Sequence, residues 1–210
     1  MVTKLGFKHE QVGTKFQVRQ RSKVLDIIQE GEKGLYDAVL LGRRGLSWLE
    51  AAFDESVTKE LVEKRCNFPI WICRRPDLER KNVLLCVDGS EAAYRIADHV
   101  GFILAEEKDQ KVTLFVVKKP GAKEGADSIL SKSREQLFGN GFPAEMAKTK
   151  VVESGNVTKA ILREAEQGKY AAVAIGRTGR GRGRMKKIFM GSVGDTLFHD
   201  LERAALWTCQ

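Results

Sequence analysis

No run of eighteen apolar residues occurs anywhere in the 210-residue chain, so no segment has the apolar length a helix needs to cross a bilayer. The opening stretch, MVTKLGFKHEQVGTKFQVRQRS, contains no apolar core of the kind a secretion signal requires. The expected location is the cytoplasm. Cysteine is scarce: Cys66, Cys73, Cys86 and Cys209 form no CxxC pair, and three of them lie within apolar strand-like runs. That pattern reads as buried thiols rather than a metal or redox site. The three histidines, His9, His99 and His199, form no HExxH, and no serine-centred elbow or pair of strand-end carboxylates is present. No catalytic constellation and no metal site is therefore assigned, and binding is a better reading than catalysis. A Walker-type GxxxxGK[ST] is missing as well.

With 42% hydrophobic and 30% charged residues, the composition is that of a globular protein with a core. The formal net charge is +8, and its distribution is uneven. Arg177, Arg180, Arg182, Arg184, Lys186 and Lys187 fall between Gly176 and Gly191 with no acid among them. This stretch, GRTGRGRGRMKKIFMGSV, joins an apolar strand, Ala171 to Ile175, to a helix opening at Gly191-Ser192, with Ser192 in the N-cap role. Glycines let backbone N–H groups approach a ligand closely, and a helix start adds unpaired donors and a positive dipole end. Together they make an anion site, and phosphate is the natural anion. Two other readings stand beside it. The stretch could be a solvated basic loop, or an Arg/Gly segment that neutralises nucleic-acid phosphates, although Phe189 is its only aromatic for stacking.

The chain repeats itself at an offset of 134 residues: GLYDAVLLGRRG from Gly34 matches GKYAAVAIGRTG from Gly168. Gly6-Phe7 also matches Gly141-Phe142, Ile27 matches Ile161, and Ile70-Trp71-Ile72-Cys73 matches Leu206-Trp207-Thr208-Cys209. Each copy reads strand, helix, strand, helix, strand. The early copy has Thr14 to Val18, a helix from Ser22 to about Glu32, Ala38 to Leu41, a helix from Ser56 to Lys64, and Pro69 to Cys73. The late copy has Thr149 to Val152, Val157 to Gln167 capped by Asn156, Ala171 to Ile175, Ser192 to about Glu202, and Ala205 to Cys209.

Only the late copy has a front half. Its strand Asn82 to Val87 ends in Asp88-Gly89-Ser90, where Ser90 caps a helix with Ala93, Ile96, Ala97, Val100 and Leu104 on one face. A second strand, Lys111 to Val117, and a helix from about Ser128 to Phe138 follow. Near-continuous apolar strands alternating with helices predict a parallel sheet covered on both faces. The domains are therefore expected at 1–75, an incomplete first copy, and 82–210, a complete second one, joined by a linker at 76–81.

The VDGS run at residues 87–90, with a glycine loop leading to a Gly-Ser helix start, resembles the universal stress protein family. Nucleotide-binding members of that family carry G-x2-G-x9-G-[ST] at this place. Gly176 and Gly179 match the first pair, and Gly191-Ser192 matches the last. Eleven residues separate Gly179 from Gly191, whereas nine separate it from Gly181, so the loop is similar to the family loop lengthened by two. The resemblance covers residues 80 to 210, and residues 1 to 75 look like the rear half of another such domain. It implies a doubly wound α/β fold with strand order 3-2-1-4-5 and an adenine nucleotide as ligand, ATP with or without Mg. Asp88 and the main chain at Val117 would address ribose and adenine. Gly176, Gly179, Gly181, Gly191, Ser192 and Val193 would hold the phosphates. The implied role is a stress-response regulator working as a ligand-dependent switch, the alternatives being a nucleic-acid binder or a nucleotide-free dimerisation scaffold.

Two structural consequences follow. In that strand order the early copy lacks the two strands that would separate Thr14–Val18 from Ala38–Leu41, leaving one strand unpaired and the other with an open edge. The module-ending strands, with Trp71 and Trp207, are expected to pair about a pseudo-twofold axis, or to pair a second chain in a homo-oligomer. In the early copy Glu55 stands where Gly191 stands in the late one. A carboxylate at that helix start takes a phosphate's place, which predicts a nucleotide-free first site.

Overall fold

The computed structural model describes residues 8–16, 18–42, 60–61, 66–73, 75–121, 125–177 and 191–210. Helix starts are set by polar side chains that accept otherwise unpaired backbone N–H groups. Ser22 Oγ accepts from Leu25 N at 3.2 Å and opens α1, Lys23–Lys33. Ser90 Oγ accepts from Ala93 N at 3.1 Å and opens α2, Glu91–Leu104. After α3, Ala126–Gly139, Asn156 Oδ1 accepts from Lys159 N at 2.9 Å and opens α4, Val157–Gln167. The last helix, α5, is Gly191–Asp200. Gly34 and Gly168 end α1 and α4, but with right-handed φ of −80° and −82°. Each residue is a glycine because a Cβ there would strike the ring of Tyr36 or Tyr170 two positions on. The left-handed turn falls instead on Leu35 and Lys169.

The strands are β1 Val39–Gly42, β2 Ile70–Cys73, β3 Lys81–Cys86, β4 Val112–Lys118, β5 Ala147–Glu153, β6 Tyr170–Gly176 and β7 Ala205–Cys209. They form one seven-stranded sheet in the order β1-β2-β7-β6-β3-β4-β5. Counted from β3 in chain order, the last five lie third, second, first, fourth, fifth. Every neighbouring pair is parallel except β2 and β7. Apolar runs in the central strands follow from burial on both faces. On one face α1, α4 and α5 close over Leu84, Phe115, Val173 and Ile70 through Val24, Ile161 and Leu197. On the other, α2 and α3 close over Leu85, Leu114, Ala174 and Trp207 through Ile96, Val100 and Leu137. The segment before β3 is pinned beneath α4: the buried Arg80 guanidinium donates to Glu166 Oε2 at 2.6 Å. Among the described residues no helix is long and apolar enough to cross a membrane.

The two repeat copies carry the same register. Val39, Leu40, Leu41 and Gly42 face Ile70, Trp71, Ile72 and Cys73, as Val173, Ala174, Ile175 and Gly176 face Leu206, Trp207, Thr208 and Cys209. Where the copies meet, β2 and β7 run antiparallel with Trp71 opposite Trp207. Their rings stack at 4.1 Å with planes 6° apart. Trp71 Nε1 donates to His99 Nε2 at 3.0 Å, fixing the imidazole as an acceptor.

One expected strand does not form. Thr14–Phe16 and Val18 have no ladder partner, and Phe16 and Val18 are 93% and 86% exposed. A strand without a neighbour leaves its N–H and C=O groups to water and gains no pairing. The helix expected from Ser56 to Lys64 lies almost wholly outside the described residues, as does Glu55. Among the cysteines only Cys66 is fully buried. Cys73, Cys86 and Cys209 are half-buried.

Burial holds the His99 imidazole at a pKa of about 4, against an ordinary 6.5, despite the nearby Asp37 and Asp98 carboxylates. The unfolded chain therefore takes up a proton between those values that the folded chain resists, and stability falls as pH drops through this window. The expected loss is of the order of 2 kcal/mol. His99→Gln should flatten the dependence, measured by urea unfolding followed through tryptophan fluorescence between the two values. Identical pH slopes in both proteins would contradict this account of the junction.

Candidate functional site

An open parallel sheet binds ligands where successive crossovers leave on opposite faces. Here β3 leads into α2 on one face and β6 leads into α5 on the other. β3 and β6 are neighbours. At their carboxyl ends lies a cavity of about 510 Å³, within the range of roughly 300–1,000 Å³ common for small-molecule sites.

β3 contributes Cys86, Val87 and Asp88 to its wall, β4 contributes Phe115, Val117 and the following Lys119, and β6 contributes Ile175 and Gly176. α4 adds Val157 and Ile161, and α5 adds residues 191–194. Asp88, Val117, Gly176, Gly191, Ser192 and Val193, six of the residues named from sequence, are thus brought round one cavity. Gly179 and Gly181 lie outside the described residues, with Arg180, Arg182, Arg184, Lys186 and Lys187.

Asp88 has both of the roles open to it. Its Oδ1 accepts from Ser90 N at 3.0 Å, which makes the turn into α2. The carboxylate is at the same time exposed at the cavity wall. Gly176 is glycine for a packing reason, since a Cβ would run into the Ala92–Ala93 backbone at the start of α2. Gly191 is glycine for a conformational one. Its φ is +74°, and no described residue comes within 4 Å of where a Cβ would stand. Ser192 is the second residue of α5, Gly191–Asp200. Its carbonyl accepts from Thr196 Oγ1 at 2.9 Å. N–H groups in the first turn of a helix lack an intrahelical acceptor, and the first described turn of α5 lies on the cavity wall.

Arg177 leaves the basic set. It is 1% exposed, its N–H donates to Cys209 O at 2.8 Å, and its guanidinium lies with the Cys66 and Cys209 thiols. It is not on the cavity wall. Burial pushes its pKa down against the opposing influence of the two thiols. Lys119 is the cation that sequence reasoning missed, two residues beyond Val117. The signal was the Lys118-Lys119 pair closing an apolar strand. Phe115, Val157, Ile161 and Ile175 were missed because a cavity wall and a core carry the same apolar periodicity. Cys86 is no nucleophile: burial first, and the charge of Glu164 second, push its thiol well up, so it stays protonated. Among the described residues no three His, Cys, Asp or Glu side chains group as a metal site.

The sequence model of the universal stress protein family matches residues 79–202. No curated protein sequence matches the chain. Among solved structures, a universal stress protein from Archaeoglobus fulgidus DSM 4304 superposes with a TM-score of 0.61 at 20% identity, covering 89% of this chain and 64% of its own. A functionally unknown protein from Pseudomonas aeruginosa PAO1 gives 0.56 at 16% identity, covering 90% and 68%. A third structure, described as a putative universal stress protein from Pseudomonas aeruginosa UCBPP-PA14, gives 0.56 at 17%, covering 90% and 68%. The chain thus spans about two thirds of the length of these proteins, and identities this low show likeness of fold. The family model takes in more than half of the chain, from the linker through α5, and on that ground the chain belongs to the universal stress protein family.

Proposed function

We propose that the cavity binds one adenine nucleotide, ATP with or without Mg, and that occupancy makes the protein a ligand-dependent regulator of a cytoplasmic stress response. The observation that carries this reading is the convergence of three unlike surfaces on one cavity of about 510 Å³. Apolar walls from Phe115, Val117, Val157 and Ile161 suit a flat base. The Asp88 carboxylate suits ribose hydroxyls, which donate to it. The backbone N–H groups of Gly191 to Val193 and the Lys119 ammonium suit phosphate. The cations of residues 180–187 stand in sequence between β6 and α5, where added positive charge favours a polyphosphate. A magnesium ion would be held by phosphate oxygens and water and would lower the charge those groups must offset. Among the described residues no wall side chain is paired as a base with a nucleophile, and the reading is recognition. The switch needs only a ligand that binds one conformation of the protein better than another.

Titration calorimetry with ATP, with and without magnesium, should give saturable heat for one site per chain. Gly191→Glu should weaken binding by at least tenfold, about 1.4 kcal/mol. Because the left-handed φ at 191 penalises any side chain, Gly191→Gln is the matched control. It carries the same backbone strain without the charge, and should bind more tightly than the Glu variant. Equal affinity in wild type and Gly191→Glu, with both folded by circular dichroism, would show that the phosphates are not held at α5.

Lys119→Met should weaken ATP by a few-fold, in keeping with roughly 0.5–1 kcal/mol for an exposed charge pair, and leave adenosine unaffected. If neither nucleotide binds while a single-stranded oligonucleotide does, with strong salt dependence, the nucleic-acid reading replaces this one.

A further inference from the structure

The face that α4 turns to the cavity does not end in an apolar residue. Val157, Ile161 and Glu164 recur at helical spacing on one face of α4, and the first two line the cavity. Thr113, Phe115 and Val117 alternate along one face of β4, and the last two line the cavity. The slot between α4 and β4 is therefore apolar along its walls and polar at its floor.

At that floor a third element supplies a spacer. Tyr170 OH, from the start of β6, donates to Thr113 Oγ1 at 2.8 Å and lies 3.5 Å from Glu164 Oε1. From β5, Lys150 Nζ holds Glu164 Oε2 at 2.6 Å. Thr113, Glu164 and Tyr170 are all buried. Gly168 gives the Tyr170 ring its room, since a Cβ there would overlap it. Burial, and the Glu164 charge after it, raise the thiol of the wall residue Cys86, which sets this carboxylate near the cavity floor. A phenol oxygen thus stands between a carboxylate on the helix and a hydroxyl on the strand. Without it those two groups could meet directly at about 2.7 Å, and α4 would settle toward β4. An empty apolar slot favours such closure, because its lining atoms gain contacts.

We propose, on the nucleotide reading of the cavity, that Tyr170 and Glu164 are positioning residues for the base. Tyr170 OH spaces α4 from β4, and Lys150 keeps Glu164 in place above it. The slot is thereby held ready for a flat ring, with Val157 and Ile161 on one side and Phe115 and Val117 on the other. Neither Tyr170 nor Glu164 lines the cavity itself. The early copy provides a matched control. There Lys15 Nζ lies 2.6 Å from Glu30 Oε2, and Tyr36 OH donates to Glu30 Oε1 at 2.9 Å. Tyr36 is 49% exposed, and no residue of that copy lines the cavity.

Calorimetry with adenosine, ATP and inorganic tripolyphosphate separates the base from the phosphates. Tyr170→Phe should weaken adenosine and ATP by the same factor, about tenfold, the scale of a one-methylene misfit in an apolar pocket. Tripolyphosphate should bind as it does to the wild type. Glu164→Leu should lose adenosine to the same extent while its melting temperature holds, because the half-exposed Lys150 regains water and an apolar side chain fills the space. Glu164→Gln keeps an acceptor for Lys150 and should bind adenosine more tightly than Glu164→Leu. Tyr36→Phe should leave every affinity unchanged. Wild-type adenosine affinity in folded Tyr170→Phe and Glu164→Leu would overturn the proposal and leave the nucleotide reading standing. So would losses of affinity that follow the melting temperature from variant to variant, since the two residues would then serve only the fold. Failure of the wild type to bind either adenosine or ATP would overturn both.

Discussion

The structure depends on the antiparallel pairing of β2 with β7. Each of these strands ends its repeat copy, and each would otherwise present a sheet edge. Pairing them makes one continuous seven-stranded sheet, with the stacked Trp71 and Trp207 rings at the middle of the seam. Stacked aromatics add about 0.5–1.5 kcal/mol beyond the area they bury. His99 locks one of the two indoles through its Nε2. Because the seam runs antiparallel while the rest of the sheet is parallel, it relates the two copies by reversal rather than by translation. The same apolar faces are thereby kept on the same sides of the sheet.

On that platform the candidate site arises from topology rather than from a motif. Crossovers leaving on opposite faces open a cavity between β3 and β6, and the chain supplies it with what each strand end happens to carry. A carboxylate comes from the turn into α2, a lysine from the exit of β4, and backbone N–H groups from the first turn of α5. Two glycines on the cavity wall serve different physical ends. Gly176 lets β6 approach the start of α2, and Gly191 takes a backbone conformation that side chains resist. Arg177, one residue past β6, goes the other way into the thiols of Cys66 and Cys209. Proximity in sequence to the basic glycine stretch therefore does not bring a side chain to the cavity.

Lys150, Glu164 and Tyr170 in the late copy, and Lys15, Glu30 and Tyr36 in the early one, form the same contacts, and this cluster shows how much of a local arrangement survives when its surroundings change. In the late copy it is closed in, with Glu164 buried and Tyr170 reaching β4. In the early copy the same three residue types keep their contacts in water. There the Lys15 contact, and the Tyr36 hydroxyl after it, hold the Glu30 carboxyl below its ordinary range. Short-range hydrogen bonds were enough to place Lys15 against α1, but not to make its neighbours a strand. A helix closes its hydrogen bonds within itself, whereas a strand needs another strand.

For the same reason, the sequence by itself determined the elements whose energetics are local. Ser22, Ser90 and Asn156 marked helix starts, glycines before Tyr36 and Tyr170 marked two ends, and apolar runs marked the strands other than the mostly exposed β5. The repeat, the glycine loop and the Asp88 turn gave the position of the site. What only the tertiary structure decided is non-local. It brought Lys119, Val157 and Ile161 to the cavity, because residues far apart in sequence meet only through strand order. It buried Arg177 and moved Ser192 inside α5, because the course of the backbone there is set by β7 and by the left-handed Gly191. It left Thr14–Val18 without a strand, because a strand's hydrogen bonds belong to its neighbour.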